Sequence, residues 1–263
     1  MPDIYFANYA SGRFLQYQQR NNRFIRLFAR PKAIFSYTKD ILITEHAEFC
    51  NKNREVLTQS RGDGYWLWKP YIIRNALSLI PEGAYLIYYD SGEGLRFRVW
   101  SQGTTFIEWT KKHAQSFIPG VHVPEHGYHH QWCKPSVLRS VLTTEQIKQD
   151  ISQIQATFSI WRNDENSRKF VTEWLELAQK PGFIDDSESA VDKLERSDYK
   201  EHRHDQSLLS CLCIKYGIKT INQPDELVPY NKSLSFVELY LKQKESFMAR
   251  MVYGLARTIL SLK

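Results

Sequence analysis

The chain has 263 residues, of which 42% are hydrophobic and 24% are charged, and these proportions are typical of soluble globular proteins. They predict one or two folded domains and exclude a protein that is disordered throughout. The net charge of +6 favours anionic partners without selecting one. The sequence has no apolar run of the roughly 18 residues that a spanning helix needs. Residues 1–6 do not resemble a signal peptide, so we expect a cytoplasmic protein.

The first half of the chain predicts alternating strands and helices. Residues 3–9 have the character of a strand, and residues 40–58 that of a largely helical segment. The segment 61–70, RGDGYWLWKP, contains two glycines, which indicate a turn, and Pro70, which suits the first residue of a helix. Residues 84–89, AYLIYY, form a continuous apolar run. Such a run is typical of a strand that is covered on both faces.

An acidic residue directly follows that apolar run. Asp90 precedes Ser91 and Gly92, and open α/β sheets bind their ligands beyond the carboxyl ends of the strands. Asp90 is therefore predicted to lie at a ligand site. The alternative is that Asp90 only caps the turn at the end of the strand.

The second half continues the alternation. Residues 155–161 have strand character, and Asn163 or Asp164 is expected to cap a helix whose apolar residues between Phe170 and Ala178 lie on one face. Asp205 begins a later helix that Gly217 is expected to end, and residues 218–221 predict a last strand. Strands separated by helices over this length predict an α/β fold.

The cysteines and a group of histidines are candidate metal ligands. The cysteines contain no Cys-x-x-Cys pair, so buried thiols are favoured over a zinc or redox site; they are Cys50, Cys133, Cys211 and Cys213. Four histidines lie in a segment punctuated by Pro and Gly, which favours a mobile loop beside an acceptor over a metal site; they are His122, His126, His129 and His130.

Three motifs occur in a fixed order: RGDGYWLWKP at 61–70, YLIYYDSG at 85–92 and EHRHDQSL at 201–208. Together with the segment 153–170 they resemble a family of bacterial and viral glycosyltransferases with GYGYWxWKP, YxDaG and HRHDQS patterns. The resemblance implies a GT-A type nucleotide-sugar fold, with a mixed central sheet flanked by helices over residues 1–230. It also implies a role in the synthesis of surface polysaccharide or lipopolysaccharide glycans, on a glycan or lipid-linked acceptor.

The first two motifs predict the donor site. Lys69 is expected to contact the diphosphate or the sugar of the donor, because the leaving diphosphate needs a positive partner. Aromatic rings can stack on the base or the sugar, although at least one of the three is expected to lie in the core. The predicted donor-binding residues are Tyr65, Trp66, Trp68, Lys69, Asp90, Ser91 and Gly92.

A divalent metal at Asp90 is an open expectation. GT-A enzymes usually hold Mn²⁺ or Mg²⁺ through a D-x-D motif with hard oxygen ligands. Here Asp90-Ser91-Gly92 supplies one carboxylate, with Glu93 beside it. Asp90 is expected to hold a metal with ligands from elsewhere, or to bind donor hydroxyls directly.

The third motif predicts the catalytic carboxylate. An inverting transferase needs a carboxylate to deprotonate the acceptor hydroxyl, and a retaining one needs a group on the opposite face of the sugar. Asp205 suits either role and is expected to face the cleft, with Asp90 as the second catalytic candidate; the alternative for Asp205 is a helix cap. His204, Arg203 and Gln206 are predicted to orient the acceptor.

Residues 231–263 predict a basic, amphipathic helical segment. Its apolar residues recur at spacings of three and four opposite several cations, a pattern typical of a helix lying on an anionic membrane surface. We therefore expect a peripheral location at the inner face of the membrane; the alternative is packing on the catalytic domain or on a second subunit.

Two other functions remain open: a catalytically degenerate glycan-binding or scaffold protein and, less favoured, a nucleic-acid-binding protein.

Overall fold

The computed structural model describes residues 3–28, 30–93, 109–194 and 198–221. Its centre is a five-stranded sheet made of β1 (Ile4–Ala10), β2 (Ala33–Thr38), β3 (Tyr85–Tyr89), β4 (Phe117–Ile118) and β7 (Phe158–Arg162), and a second, two-stranded sheet joins β5 (Val121–His122) to β6 (Ile154–Gln155). The strand order of the central sheet is β2-β1-β3-β7-β4. Strand β1 is parallel to β2 and β3, whereas β7 is antiparallel to β3 and β4. The predicted α/β fold with a mixed central sheet is confirmed.

Helices flank the sheet. Before β3 they are α1 (Phe14–Phe28), α2 (Lys39–Glu45), α3 (Ala47–Lys52), α4 (Arg54–Leu57), the single turn α5 (Gly62–Tyr65) and α6 (Trp68–Ser78). After β4 they are α7 (Pro135–Val141), α8 (Thr144–Ile147), α9 (Glu165–Ala178), α10 (Ala190–Leu194) and α11 (Asp205–Tyr216). Within the described part of the chain, every helix is too short or too polar to span a membrane.

The hydrophobic pattern correctly indicated several elements. Every residue of β3 is buried, as expected for a strand covered on both faces. Helix α9 buries the face that contains Phe170, Val171 and Trp174 and contacts α6. Asp164 is its N-cap, because the Asp164 side chain accepts a hydrogen bond from the backbone of Ser167.

Three predicted boundaries were wrong. Helix α6 begins at Trp68, so Pro70 is its third residue; a proline is tolerated there because the first backbone N–H groups of a helix have no acceptor within it. The segment 155–161 is divided between β6 and β7, which belong to different sheets. Of residues 218–221, Ile221 forms a single bridge to Val121 and no strand. The predicted segment 231–263 lies outside the described residues.

The strand order creates a crevice at the carboxyl ends of β1 and β3. After β1 the chain continues through α1 to β2 on one side of β1, whereas β3 lies on the other side and is followed in the sheet by β7. At such a switch point the connections on the two sides diverge, and ligands of open α/β sheets bind there.

Candidate functional site

A cleft of about 510 Å³ opens at this switch point. It is bounded by the ends of β1 and β3, the start of α1 and the turn that precedes α6. Five of the predicted site residues line it: Trp66, Trp68, Asp90, Ser91 and Gly92. The cleft is also lined by residues that the sequence did not indicate: Tyr9, Ala10, Ser11, Phe14, Ser60 and Asp63. Of these, Asp63 lies inside the Gly-Asp-Gly motif, which is the one signal that could have identified it.

Behind the cleft, the fold joins one cation and two carboxylates that are distant in sequence. The Nζ atom of Lys69 lies 2.8 Å from Oδ2 of Asp205 and 3.3 Å from Oδ1 of Asp90. It also donates a hydrogen bond of 3.1 Å to the carbonyl of Ala156. The hydroxyl of Tyr88 donates to Asp90. We refer to Lys69, Asp90 and Asp205 as the charge cluster.

Burial and mutual attraction determine the protonation of the charge cluster. Burial acts to lower the pKa of Lys69, but the charges of Asp205 and Asp90 raise it above its ordinary value. Burial raises the pKa of Asp205 to about 6, and the charge of Asp90 adds to this effect, while Lys69 opposes it. Lys69 therefore remains a cation at neutral pH, and Asp205 exchanges its proton close to neutrality.

The three members differ in their access to the cleft. The side chain of Asp90 is 22% exposed and lines the cleft, whereas that of Lys69 is 3% exposed and that of Asp205 is 5% exposed. The structure thus places Asp205 behind Asp90 and not on the cleft wall where we expected it. Lys69 likewise lies under the carboxylates, which favours a positioning role over direct contact with a diphosphate.

A left-handed turn positions the aromatic motif. In α5 and the residue after it, φ is 53° at Asp63, 52° at Tyr65 and 60° at Trp66, a conformation that costs residues other than glycine roughly 1–2 kcal/mol each. Tertiary contacts hold the turn: Asp63 bonds to Tyr9 and lies 2.6 Å from Nζ of Lys39. Strain maintained by such contacts is typical of functional sites.

The two tryptophans of the motif have different environments. Trp68 is buried, stacks on Tyr9 at 3.9 Å between ring centroids and donates a hydrogen bond of 3.0 Å to the carbonyl of Gly62. Trp66 is only partly buried and lines the cleft. Trp68 is therefore the aromatic residue of the core, and Trp66 is available to a ligand. Tyr65 lies beside His204, with 4.9 Å between the ring centroids, and one face of Trp66 also contacts His204, at 5.6 Å.

The turn gives a test of stability that does not depend on function. We expect Gly64→Ala to lower the free energy of unfolding by about 2–5 kcal/mol, because φ is +93° and a Cβ atom would lie 2.7 Å from Cα of Leu57. Gly217→Ala is the matched control, since φ there is +60° and nothing lies within 4 Å of an added Cβ atom; it should cost only about 1–2 kcal/mol. Urea unfolding of both variants measures the difference, and equal losses would contradict this account of the turn.

A network of buried amides lies beneath the cleft. Gln18 of α1 donates a hydrogen bond of 2.6 Å to Asn8 of β1, and Asn8 donates one of 2.7 Å to Asn22 of α1. The hydroxyl of Tyr89 also donates to Asn22, at 2.7 Å. Because buried polar groups are costly unless they are bonded, the network specifies how α1 packs against β1 and β3.

Two of the residues that were predicted to orient the acceptor, His204 and Arg203, contact other residues of the protein. His204 is 1% exposed, and its Nδ1 atom lies 2.7 Å from the carbonyl of Ile184. A carbonyl only accepts, so Nδ1 carries the proton; burial lowers the pKa of His204, which favours the neutral ring. Arg203 lies over the ring of Trp132 and pairs with Glu201 at 2.8 Å.

Gln206 connects the third motif to the charge cluster. Its side chain accepts a hydrogen bond of 3.3 Å from the backbone of Ala156 and donates one of 2.6 Å to Gln153. The carbonyl of Ala156 in turn accepts from Lys69. Gln206 therefore positions the segment that completes the environment of Lys69.

The described residues do not fit a hard divalent cation at Asp90. Such a cation needs several oxygen ligands, whereas the Asp90 carboxylate is paired with the ammonium of Lys69 and the hydroxyl of Tyr88. In the described ranges, the group of His, Cys, Asp and Glu side chains that could share an ion is His129, Cys133 and Cys211. Mn²⁺ or Mg²⁺ at Asp90 stays a prediction that these contacts do not support.

The four histidines of the loop do not converge on one another. His122 bonds to Ser152 at 3.0 Å, and His130 pairs with Asp198 at 2.9 Å. His129 is 2% exposed and faces Cys211. A mobile acceptor loop stays a prediction for this segment.

Comparison with known proteins identifies no family, since no family model and no curated protein matches the chain.

Proposed function

We propose that this protein is a glycosyltransferase of the GT-A type. It would move a sugar from a nucleotide-sugar donor to a glycan or lipid-linked saccharide in the synthesis of surface polysaccharide or lipopolysaccharide. The observation that carries the proposal is the charge cluster, in which a carboxylate at the end of β3 reaches the cleft and is backed by a buried Lys–Asp pair. The family resemblance of the three motifs supports the same reaction.

The cleft suits a nucleotide sugar in size and charge. Its volume of about 510 Å³ lies within the range of roughly 300–1,000 Å³ that is typical of small-molecule sites. Helix α1 begins at the cleft with Phe14 and has no acidic residue in its first turn, so its positive end favours a diphosphate. Trp66 offers a ring on which a base or sugar can stack.

In the proposed reaction, a hydroxyl oxygen of the acceptor forms a bond to the anomeric carbon of the donor sugar. The bond from that carbon to the diphosphate oxygen breaks, and the nucleoside diphosphate leaves with the bonding pair. The hydroxyl proton passes to a carboxylate. Asp90 is the carboxylate of the charge cluster that lines the cleft. Lys69 and Asp205 position Asp90. Asp205, with a pKa of about 6, can gain or lose a proton when the charge of Asp90 changes.

The proposed peripheral location at the membrane rests on residues 231–263, which lie outside the described residues. It is tested apart from the reaction, by binding of the full chain to anionic and neutral liposomes at low salt.

A donor screen tests the proposed function. Nucleotide sugars that differ in base and sugar are added to the purified full chain, and both binding and slow hydrolysis are measured. We expect one donor class to bind, and Trp66→Leu to weaken its binding by about 10-fold or more, as loss of a stacking ring costs roughly 1–3 kcal/mol. Tyr216→Leu is the matched control, because Tyr216 is an exposed aromatic in a separate surface depression.

The outcomes separate the competing functions. Binding with hydrolysis or transfer supports the transferase. Binding that never leads to hydrolysis or transfer, with any acceptor offered, indicates a degenerate glycan-binding or scaffold protein. Failure of every donor to bind, or equal binding by Trp66→Leu and wild type, contradicts the proposal.

A further inference from the structure

A second group of side chains meets away from the cleft and plays no part in the reaction proposed above. His129 opens the short helical turn at residues 129–132, Cys133 follows that turn, and Cys211 lies in the middle of α11. The Nε2 atom of His129 is 3.2 Å from Sγ of Cys211, and Sγ of Cys133 is 3.7 Å from Sγ of Cys211. All three possible ligand atoms lie within 4.8 Å of one another. The two cysteines are 78 residues apart in the chain, so no local pattern predicts that they meet.

Two of the three distances between these ligand atoms are close to the edges of a tetrahedral zinc site. Zn²⁺ binds thiolate sulfur at about 2.3 Å and imidazole nitrogen at about 2.0–2.1 Å. At a tetrahedral angle those bonds place two sulfur atoms about 3.8 Å apart and a sulfur and a nitrogen about 3.6 Å apart. The observed separations of 3.7 Å and 3.2 Å differ from these values by a few tenths of an ångström. An ion can therefore enter the group with small side-chain adjustments.

The chemistry of the three ligands selects the kind of ion. Cys133 and Cys211 are completely buried, and His129 is 2% exposed. Two thiolates and one Zn²⁺ sum to zero charge, so the occupied site would leave no net charge in the interior. Sulfur and imidazole ligands suit zinc, whereas Mg²⁺ and Mn²⁺ prefer oxygen. We propose that His129, Cys133 and Cys211 are three of the four ligands of a zinc site.

The proposed site is structural in its effect. Cys211 lies six residues after Asp205 on α11, a distance of about 9 Å along the helix. Zinc bound there would tie α11 to the turn at residues 129–132 and so hold the helix whose first residue belongs to the charge cluster.

Metal content and stability test the site in the full chain. The protein is purified under reducing conditions, its zinc content is measured, and Zn²⁺ is titrated into the chelator-treated protein. We expect one zinc per chain, a Tm that rises with zinc, and a loss of affinity of about 100-fold or more in Cys211→Ala and Cys133→Ala. Cys213→Ala is the matched control, since Cys213 is a buried thiol on the same helix outside the group; it should bind zinc like wild type.

Cobalt keeps the proposal testable if the ligand variants do not fold. Co²⁺ added to the wild-type chain should give the intense visible bands of tetrahedral coordination and a thiolate charge-transfer band. Absence of both, or equal uptake of zinc by wild type and a folded Cys211→Ala variant, would overturn the proposal. So would a chain that takes up no metal but forms a Cys133–Cys211 disulfide on mild oxidation.

Discussion

Replacing Asp90 with asparagine is expected to reduce sugar transfer by about 10²–10⁴-fold, the range that a positioned proton acceptor or charge contributes. Asn has nearly the same shape as Asp but carries no negative charge, and Asp90 is the member of the charge cluster that lines the cleft. The Tm should stay close to that of wild type, because the Asp90 side chain is partly exposed. Turnover with the donor found by the screen, measured together with thermal unfolding, checks both expectations.

Two further variants make this result interpretable. Asp164→Asn should be neutral, since Asp164 caps α9 and asparagine caps a helix equally well. Asp205→Asn should lower kcat less than Asp90→Asn, because Asp205 is buried behind Asp90. Near-normal turnover by Asp90→Asn would remove Asp90 from the reaction. If Asp205→Asn is the more damaging of the two, Asp205 is the catalytic carboxylate, as the sequence motif predicted.

Replacing Lys69 with methionine is expected to lower the free energy of unfolding by about 3–5 kcal/mol, the usual result of removing one partner of a buried ion pair. Methionine fills a similar volume, but it leaves Asp205, which is 5% exposed, and Asp90 without their shared cation. Urea unfolding measures the loss. We expect the main effect of Lys69→Met to be on stability, because Lys69 is enclosed by the two carboxylates with which it pairs.

The loss in Lys69→Met should depend on pH. In the wild type, burial raises the pKa of Asp205 from 3.8 to about 6, and removal of Lys69 takes away the group that opposes this rise. A carboxyl group whose pKa is higher in the folded state stabilises the fold when protonated, and that stability is lost as the pH rises through the folded pKa. The loss should therefore be smaller near about pH 5 than near about pH 8.

Lys39→Met is the matched control for Lys69→Met. Lys39 also pairs with an aspartate, at 2.6 Å from Asp63, but its side chain is 48% exposed. An exposed pair contributes about 0–1 kcal/mol, so the control should cost no more than that. The double variant Lys69→Met, Asp205→Asn should regain part of the stability, because it removes one unpaired buried charge. Equal losses in Lys39→Met and Lys69→Met would show that the charge cluster is not an energetically coupled unit.

Local patterns determined much of the fold. The apolar run of β3, the buried face of α9 and the end of α11 at Gly217 were predictable, because each depends on residues within a few positions of one another. Helix α1 was not predicted. It buries Gln18, Asn21 and Asn22, and buried polar residues conceal the hydrophobic periodicity by which a helix is recognised. The bonds that make their burial favourable come from β1, β2 and β3 and from the carbonyl of Ser91.

The sequence by itself determined the α/β class and selected Asp90, Lys69 and Asp205, because it shows residue types and their motifs. Only the tertiary structure decided that the ammonium of Lys69 lies between the two carboxylates, that Asp90 alone of the three lines the cleft, and that His129 meets Cys133 and Cys211. These contacts join residues far apart in the chain. They depend on the order and register of the strands and on the packing of α11, which no local pattern encodes.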